Sequence, residues 1–534
     1  MLGILAPALA AASGLALLAA HPPLGWWPTT FLAPALLVAA LWVDQIAAAQ
    51  TERRPRGFRL GALTGAATFA PMLSWLIMPA GYVGWGLLVA VQVVWMGVLA
   101  ALLVPFLDRV WLPAAAAAIW TGIDAWRAIW PLGGFEWGAI AYAHVDGSWM
   151  IPVARLVGGR GITLLVVLIG VAAALTVRTV WGSVRDRDGA SVEQSLGAAR
   201  WPLAWLLGGV LVSVLAVVEP PAEDGQLDVL AVQGNDRRHW EDDSPDPDPP
   251  LRITTAMRDE TLASVEREGP PDVTVWPESS LDRDPFTERG APLGELADEA
   301  ASAAGTLVAG ATLDGPDPQT QRYTAAIVLE DGLNETDRYV KRRPVPFGEY
   351  IPARDYLDWF PPLDQIPRDA LAGEGPQTLR IGAEQVPVST IICFETKFQG
   401  TTRDNVLGDG DEPTQLLLTL TNDASFGDTA EPAQHLAQSR LRAIETGRYV
   451  VHAAISGSSA FVAPDGSMEQ VTEVFTVDSI RKDVPLVSGL TPYLVIGDVV
   501  GWVTRAVTVL VAALVLWTAV LRRRSGALAL VDDR

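Results

Sequence analysis

Eight apolar stretches of about 20 residues each constrain this chain most, because a helix of that length crosses a ~30 Å hydrocarbon core. They lie near residues 3–20, 28–49, 60–78, 82–107, 113–130, 160–182, 202–218 and 493–521. Between the seventh and the eighth runs a segment that cannot lie in lipid. Half of the 534 residues are hydrophobic, yet the net charge is −22. The acidic residues are sparse before residue 219 and dense from there to about residue 485. A membrane part and a water-facing part are implied, the latter roughly 270 residues and long enough for its own core. Its acidity argues against nucleic acid as a partner.

Loop charge predicts the orientation. Arg53, Arg54, Arg56 and Arg59 follow the second stretch, Arg185, Arg187 and Arg200 the sixth, and Arg522, Arg523 and Arg524 the eighth. With eight crossings all three groups fall on one side, which the positive-inside bias makes cytoplasmic. Both termini are then expected inside and the acidic segment outside. The first stretch lacks the basic flank of a cleavable signal peptide. Two outer loops, His21 to Pro28 and Gly133 to Trp149, are aromatic. They read either as an interface belt or as a lipid-access surface. Asp124 and Arg127, three apart in the fifth stretch, read either as a functional intramembrane pair or as a pair snorkelling outward.

The acidic segment reads as α/β. Apolar, β-branched runs at 227–235, 272–278, 306–310, 323–329, 386–393, 416–420 and 450–455 predict strands. Helices are expected over about 251–268, 291–304 and 432–446, and a hairpin at Asp465-Gly466 closes the segment. Cys393 is the only cysteine. By itself such a residue is more often a small buried hydrophobe than a nucleophile. Glu278, however, ends a second apolar strand, and Lys341 follows a third. Lysine is rare here: Lys341, Lys397 and Lys482 are the only three. Ligands collect at the carboxyl ends of strands in open α/β sheets. A thiol, a carboxylate and an ammonium gathered there make a plausible set for covalent acyl chemistry, with the carboxylate taking the thiol proton and a cation lowering the thiol pKa. A lysine there can also hold an oxyanion. The five histidines, His21, His144, His239, His435 and His452, show no metal-ligand spacing, so no metal is expected.

Several motifs, in order, carry a resemblance: Val232-Gln233-Gly234-Asn235, Trp276-Pro277-Glu278, Tyr339-Val340-Lys341, Val345 to Tyr350, Cys393-Phe394-Glu395, Thr421 to Ala424 with Phe426-Gly427-Asp428, and Gln434-His435-Leu436 with Arg440, Arg442 and Glu445. With eight spans and the acidic segment before the last, the chain resembles the bacterial apolipoprotein N-acyltransferase family, part of the nitrilase superfamily. The resemblance implies a multi-pass helical membrane domain joined to an extracytoplasmic nitrilase-like αββα sandwich. The expected layout is a membrane domain at 1–220 with seven helices, a catalytic domain at 221–488, a last transmembrane helix at 489–522 and a cytoplasmic tail at 523–534. It implies Glu278 as general base, Lys341 as oxyanion stabiliser and Cys393 as nucleophile. Glu349, Phe394 and Glu395 are implied as supporting residues, and Trp240 and Phe426 as substrate-loop residues. Ser425, Ser456 and Glu136 depart from the family pattern, which commonly has tryptophan, asparagine and proline there.

The implied reaction transfers an acyl chain from a phospholipid to the N-terminal diacylglyceryl-cysteine of an apolipoprotein through a thioester on Cys393, at the cell membrane, in a monomer and without a cofactor. Two other readings stay open on the residues alone. One is a membrane-tethered amidase that uses water as second nucleophile, the other a non-catalytic assembly partner.

Overall fold

The computed structural model describes residues 2–53, 55–185, 192–236, 247–357, 366–410 and 412–532. The chain divides into two compact units, Met1–Val217 with Asp498–Arg534, and Val218–Gly497.

In the first unit every apolar stretch is helical, since a helix satisfies all its own backbone groups where no water can. The main helices are Leu2–Ala20, Thr29–Gln50, Gly57–Met72, Ile77–Leu103, Leu112–Arg127, Gly159–Arg185, Val192–Leu215 and Val499–Asp532. Among the described residues five segments are long and apolar enough to cross a membrane: Leu2–Ala20, Thr29–Gln50, Ser74–Phe106, Gly159–Gly182 and Val499–Leu521. The helices at Gly57–Met72 and Leu112–Arg127 have only 16 residues each. The apolar run of the remaining one is Ala199–Leu215. Gly81 is non-helical, at φ 64° and ψ 178°, so the chain turns between the third and fourth predicted stretches.

Polar side chains inside this unit are paired. Arg127 donates to Asp124 Oδ1 at 2.7 Å, to Gln92 Oε1 at 2.7 Å and to the Trp137 carbonyl at 2.7 Å. Asp124 and Arg127 are both buried, so the snorkelling reading does not hold. Glu136, the unusual carboxylate of the outer loop, accepts two bonds from Arg160 at 2.8 and 2.9 Å. Arg160 also pairs with Asp498, ahead of the last helix. A charge at position 136 is thus tolerated because it arrives with its own counter-ion.

In the second unit the strands are β1 (Glu223–Gln233), β2 (Val273–Leu281), β3 (Thr306–Asp314), β4 (Gln321–Glu330), β5 (Asn334–Val340), β6 (Asp369–Ala370), β7 (Leu379–Ile381), β8 (Val386–Ile392), β9 (Leu416–Thr421), β10 (Val450–Ala454), β11 (Ala460–Val462), β12 (Met468–Glu469) and β13 (Asp478–Val487). They form two sheets. One runs β13-β1-β2-β3-β4-β5, with β6 beside β4, and the other runs β12-β11-β10-β9-β8-β7. β1, β2 and β3 are mutually parallel, as are β8, β9 and β10.

Strand alternation builds the layers. Val229, Ala231, Val273, Val275 and Val328 of the first sheet share one core with Val388, Ile392, Leu416, Leu418 and Val451 of the second. The opposite face of the first sheet, including Leu230, Trp276 and Leu307, packs on Ile253 and Met257 of helix Pro249–Glu268 and on Leu293 and Ala297 of helix Ala291–Ala304. The opposite face of the second sheet, Ile391, Leu417 and Val450, packs on Leu436 and Ala443 of helix Glu431–Thr446. The result is a helix–sheet–sheet–helix stack. β13, absent from the expected strands, closes the first sheet antiparallel to β1. The chain beyond the hairpin is therefore part of the sheet, not a tail.

Candidate active site

The three candidate catalytic residues lie in a strand or directly after one. β8 is buried along its whole length, with Val388, Ile391 and Ile392 fully so. Each such side chain contributes about 1.5–3 kcal/mol, which fixes the point where the strand stops. Cys393 follows at once, at φ 48°, and opens the short 3-10 helix Cys393–Lys397. Glu278 lies in β2, but it does not end that strand as expected. The strand continues to Leu281, with its pairing to β3 interrupted between Trp276 and Leu281 and with Ser279 at φ 62°. Gly310 of β3 makes room for this irregularity, because a Cβ there would collide with the Pro277 carbonyl and the Glu278 backbone. Lys341 directly follows β5, and its amide donates to the Thr324 carbonyl at 2.9 Å.

The side chains converge. Lys341 Nζ donates to Glu278 Oε1 at 2.8 Å and lies 3.0 Å from Glu349 Oε2. Glu278 Oε2 accepts the Asn422 amide at 3.1 Å, and the Glu278 carboxylate lies near enough to Cys393 for each to act on the other electrostatically. Glu349 also accepts from Thr324 Oγ1 at 3.2 Å and from the Val345 amide at 2.7 Å. Glu278 and Lys341 are 6 % and 1 % exposed.

Burial sets the electrostatics. It pushes Glu278 above the usual carboxylate range, with Lys341 pulling the other way. It would lower Lys341, but Glu278 and Glu349 outweigh it and hold the ammonium above its ordinary value. It would raise Glu349, but Lys341 and Arg322 hold that carboxylate low. Cys393 is driven well above the usual thiol value by burial and by the Glu278 carboxylate, against the pull of Lys341. This corrects the expectation of a cation-lowered thiol. The resting group is a thiol, and Glu278 is the acceptor next to it.

Glu395 does not line the reacting cluster. It is fully buried and accepts from Tyr339 Oη at 2.8 and 2.9 Å, and from the amides of Ile392, Arg342 and Arg343 at 2.8, 2.7 and 3.1 Å. It ties the residue before the thiol to the residues after the lysine. Phe394 is half-buried, edge-on to Phe398, with the Lys397 ammonium 3.0 Å from its ring centroid. Phe426 is half-buried in the short helix Ala424–Phe426. Trp240 lies outside the described residues. Ser456 accepts the Asp236 amide at 2.8 Å and so anchors the last described residue before that segment. Ser425 is half-buried beside Phe426, and nothing in the structure explains the serine.

Histidine spacing gave no sign of one cluster. Asp423, Glu431 and His435 bring potential ligand atoms within 4.8 Å of one another. Both imidazole nitrogens of His435 are engaged in hydrogen bonds: Nδ1 with Asp423 Oδ1 at 3.0 Å, and Nε2 with Thr396 Oγ1 at 2.9 Å and the Cys393 carbonyl at 3.1 Å. The cluster is thus built as a hydrogen-bond network. Asp423 is held below the usual carboxylate range because His435 outweighs its burial, whereas burial and then Asp423 push Glu431 well above that range.

Residues 13–172 match the apolipoprotein N-acyltransferase N-terminal domain family, and residues 255–473 the carbon-nitrogen hydrolase family. The apolipoprotein N-acyltransferase of Mycolicibacterium smegmatis is 31% identical over 95% of this chain and 84% of its own length. This chain belongs to the apolipoprotein N-acyltransferase family. The Caulobacter vibrioides member is 29% identical over 92% of this chain and 91% of its own length. Among solved structures, a nitrilase-superfamily amidase from Nesterenkonia AN1 aligns at 18% identity and TM-score 0.36, covering 52% of this chain and 95% of the amidase. A CN-hydrolase superfamily protein from Xanthomonas campestris aligns at 16% identity and TM-score 0.36, covering 49% of this chain and 91% of that protein. As an apolipoprotein N-acyltransferase family member the chain is a membrane protein and an acyltransferase, with its carbon-nitrogen hydrolase region set between apolar helices.

Proposed function

We propose that this protein transfers a fatty acyl chain from a membrane phospholipid to the α-amino group of a diacylglyceryl-cysteine at a lipoprotein N-terminus, by way of a thioester on Cys393. One observation carries the reading: the Lys341 ammonium is bound between Glu278 and Glu349, and Cys393 lies against the same cluster. In the first step Cys393 Sγ attacks the ester carbonyl while Glu278 takes the thiol proton. The S–C bond forms, the ester C–O bond breaks, and Glu278 returns the proton to the departing lysophospholipid oxygen. Lys341, held between two carboxylates, stabilises the oxyanion. In the second step the lipoprotein amine attacks the thioester, Glu278 accepts an amine proton, the C–S bond breaks and the thiol is restored. Glu349 supports Lys341 as a second carboxylate, 3.0 Å from its ammonium.

The accompanying topology has eight crossings, both termini in the cytoplasm and the sheet-bearing unit outside, in a monomer at the cell membrane. The arginine groups after the second, sixth and eighth stretches support it. The carbon-nitrogen hydrolase match over 255–473 favours one rival, hydrolysis of the acyl-enzyme by water.

Mass spectrometry separates the two. Full-length protein incubated with phospholipid alone is expected to gain one acyl mass, on Cys393. A diacylated lipopeptide should discharge it as an amide, and Cys393→Ala should show neither event. Release of free fatty acid or ammonia in place of transfer would establish the hydrolase. Transfer by purified Cys393→Ala would refute the thioester.

A further inference from the structure

The nucleophile is held in an unfavourable backbone conformation, and the structure shows what holds it. Cys393 sits at φ 48°, a left-handed region that side-chain-bearing residues occupy only when their surroundings impose it. On its N-terminal side the Ile392 amide is fixed by Glu395 at 2.8 Å. On its C-terminal side the Cys393 carbonyl faces two groups, Thr396 Oγ1 at 2.8 Å and His435 Nε2 at 3.1 Å. Thr396 is on the same short helix and moves with it. His435 is not: it is buried on helix Glu431–Thr446, in the layer outside the second sheet.

His435 is itself fixed from behind. Its Nδ1 meets Asp423 Oδ1 at 3.0 Å and Thr421 Oγ1 at 3.2 Å, and Thr421 donates to the same Asp423 oxygen at 2.8 Å. Oxygen partners thus face both ring nitrogens. Asp423 directly follows Asn422, whose amide holds Glu278 Oε2. The dipeptide Asn422-Asp423 therefore grips the base with one residue and, through His435, the nucleophile's carbonyl with the other. Base and thiol are referenced to one stretch of backbone at the end of β9.

We propose that His435, oriented by Asp423, is a positioning residue that sets the Cys393 thiol against Glu278 by holding the Cys393 carbonyl. The proposal rests on Cys393 being the nucleophile, and the test keeps the two claims apart. The amide nitrogen of glutamine falls near the position of imidazole Nε2, and that of asparagine near Nδ1. His435→Gln keeps the donor to Cys393 and gives up Asp423, and His435→Asn does the reverse. A role limited to satisfying buried Asp423 predicts that asparagine is the better replacement. Positioning predicts glutamine.

The experiment follows, by mass spectrometry on the full-length protein, iodoacetamide alkylation of its sole cysteine and acyl-adduct formation from phospholipid, with a thermal melt of each variant. His435→Asn is expected to slow both reactions by about 10²-fold at unchanged KM for phospholipid, while His435→Gln stays within about threefold of wild type. Equal rates for the two variants, or the reverse order, would overturn the proposal. Should His435→Asn fail to fold, His435→Gln decides alone: a folded protein slowed more than about tenfold refutes positioning. Wild type that alkylates readily but takes up no acyl chain would sink the acyl-transfer reading and leave this inference standing.

Discussion

Replacing Lys341 with methionine removes a charge and keeps most of the volume, so it isolates the electrostatics of the cluster. In the wild type one ammonium lies 2.8 Å from Glu278 and 3.0 Å from Glu349; Lys341 and Glu278 are buried and Glu349 is nearly so. Removing one partner of a buried ionic cluster costs about 3–5 kcal/mol. At about 2–4 °C per kcal/mol, the melting temperature should fall on the order of 10 °C near pH 8. The loss should depend on pH, with a definite sign. In the wild type the folded pKa of Lys341 is raised, so its contribution is complete below the unfolded value of 10.5 and constant across neutral pH. In Lys341→Met both carboxylates lose the group that lowers them, and burial, the largest influence on each, pushes both up. An acid with a raised folded pKa loses stability as pH rises through that value. Each such group can account for up to about 1.4 kcal/mol per pH unit. The variant should therefore sit much nearer wild type at about pH 5 than at about pH 8. Tryptophan-fluorescence melts of the full-length protein in detergent, at three pH values, read this directly. A deficit that is constant with pH, or largest in acid, would refute a charge-coupled cluster.

Glu278→Gln should form the Cys393 acyl adduct about 10²–10⁴-fold more slowly, because the base is gone while the contact to Lys341 can persist. In the wild type the same rate should fall with acid through a pKa above the ordinary carboxylate value, since Glu278 must be ionised to accept the thiol proton. A flat pH–rate profile would argue for another base. Glu395→Gln turns an N–H toward at least one of four donors, from Tyr339, Ile392, Arg342 and Arg343, and should cost about 1–3 kcal/mol in a thermal melt. In the membrane unit, Arg127→Met should destabilise by about 3–5 kcal/mol by stranding Asp124, and adding Asp124→Leu should recover part of that loss. A double variant less stable than the single one would show that Asp124 has a second cationic partner.

What could be read from the chain in advance follows the range of the forces involved. Apolar runs, β-branched strands and helix periodicity are local, so helix Ala291–Ala304 and the Cys393 strand end were legible. β13 was not, because an edge strand that opens Asp-Ser-Ile-Arg-Lys-Asp carries charge at four of those six positions and owes its place to pairing with β1, over two hundred residues away. Rarity of lysine pointed to Lys341 but not to it alone. Lys397 is fully buried over Phe394, and Lys482 makes a partly exposed pair with Glu469. Scarcity of a residue type therefore marked positions worth inspecting, and only geometry sorted a site cation from a packing cation and a surface one. The thiol shows the limit more sharply. A nearby cation suggested a lowered pKa, and the cation is there, yet burial and the carboxylates of Glu278, Asp423 and Glu431 outweigh it and reverse the sign. Sequence order can bring three chemical types to strand ends. It does not weigh their charges against the water each has lost, and that balance decides whether Cys393 rests as a thiolate or as a thiol waiting for Glu278.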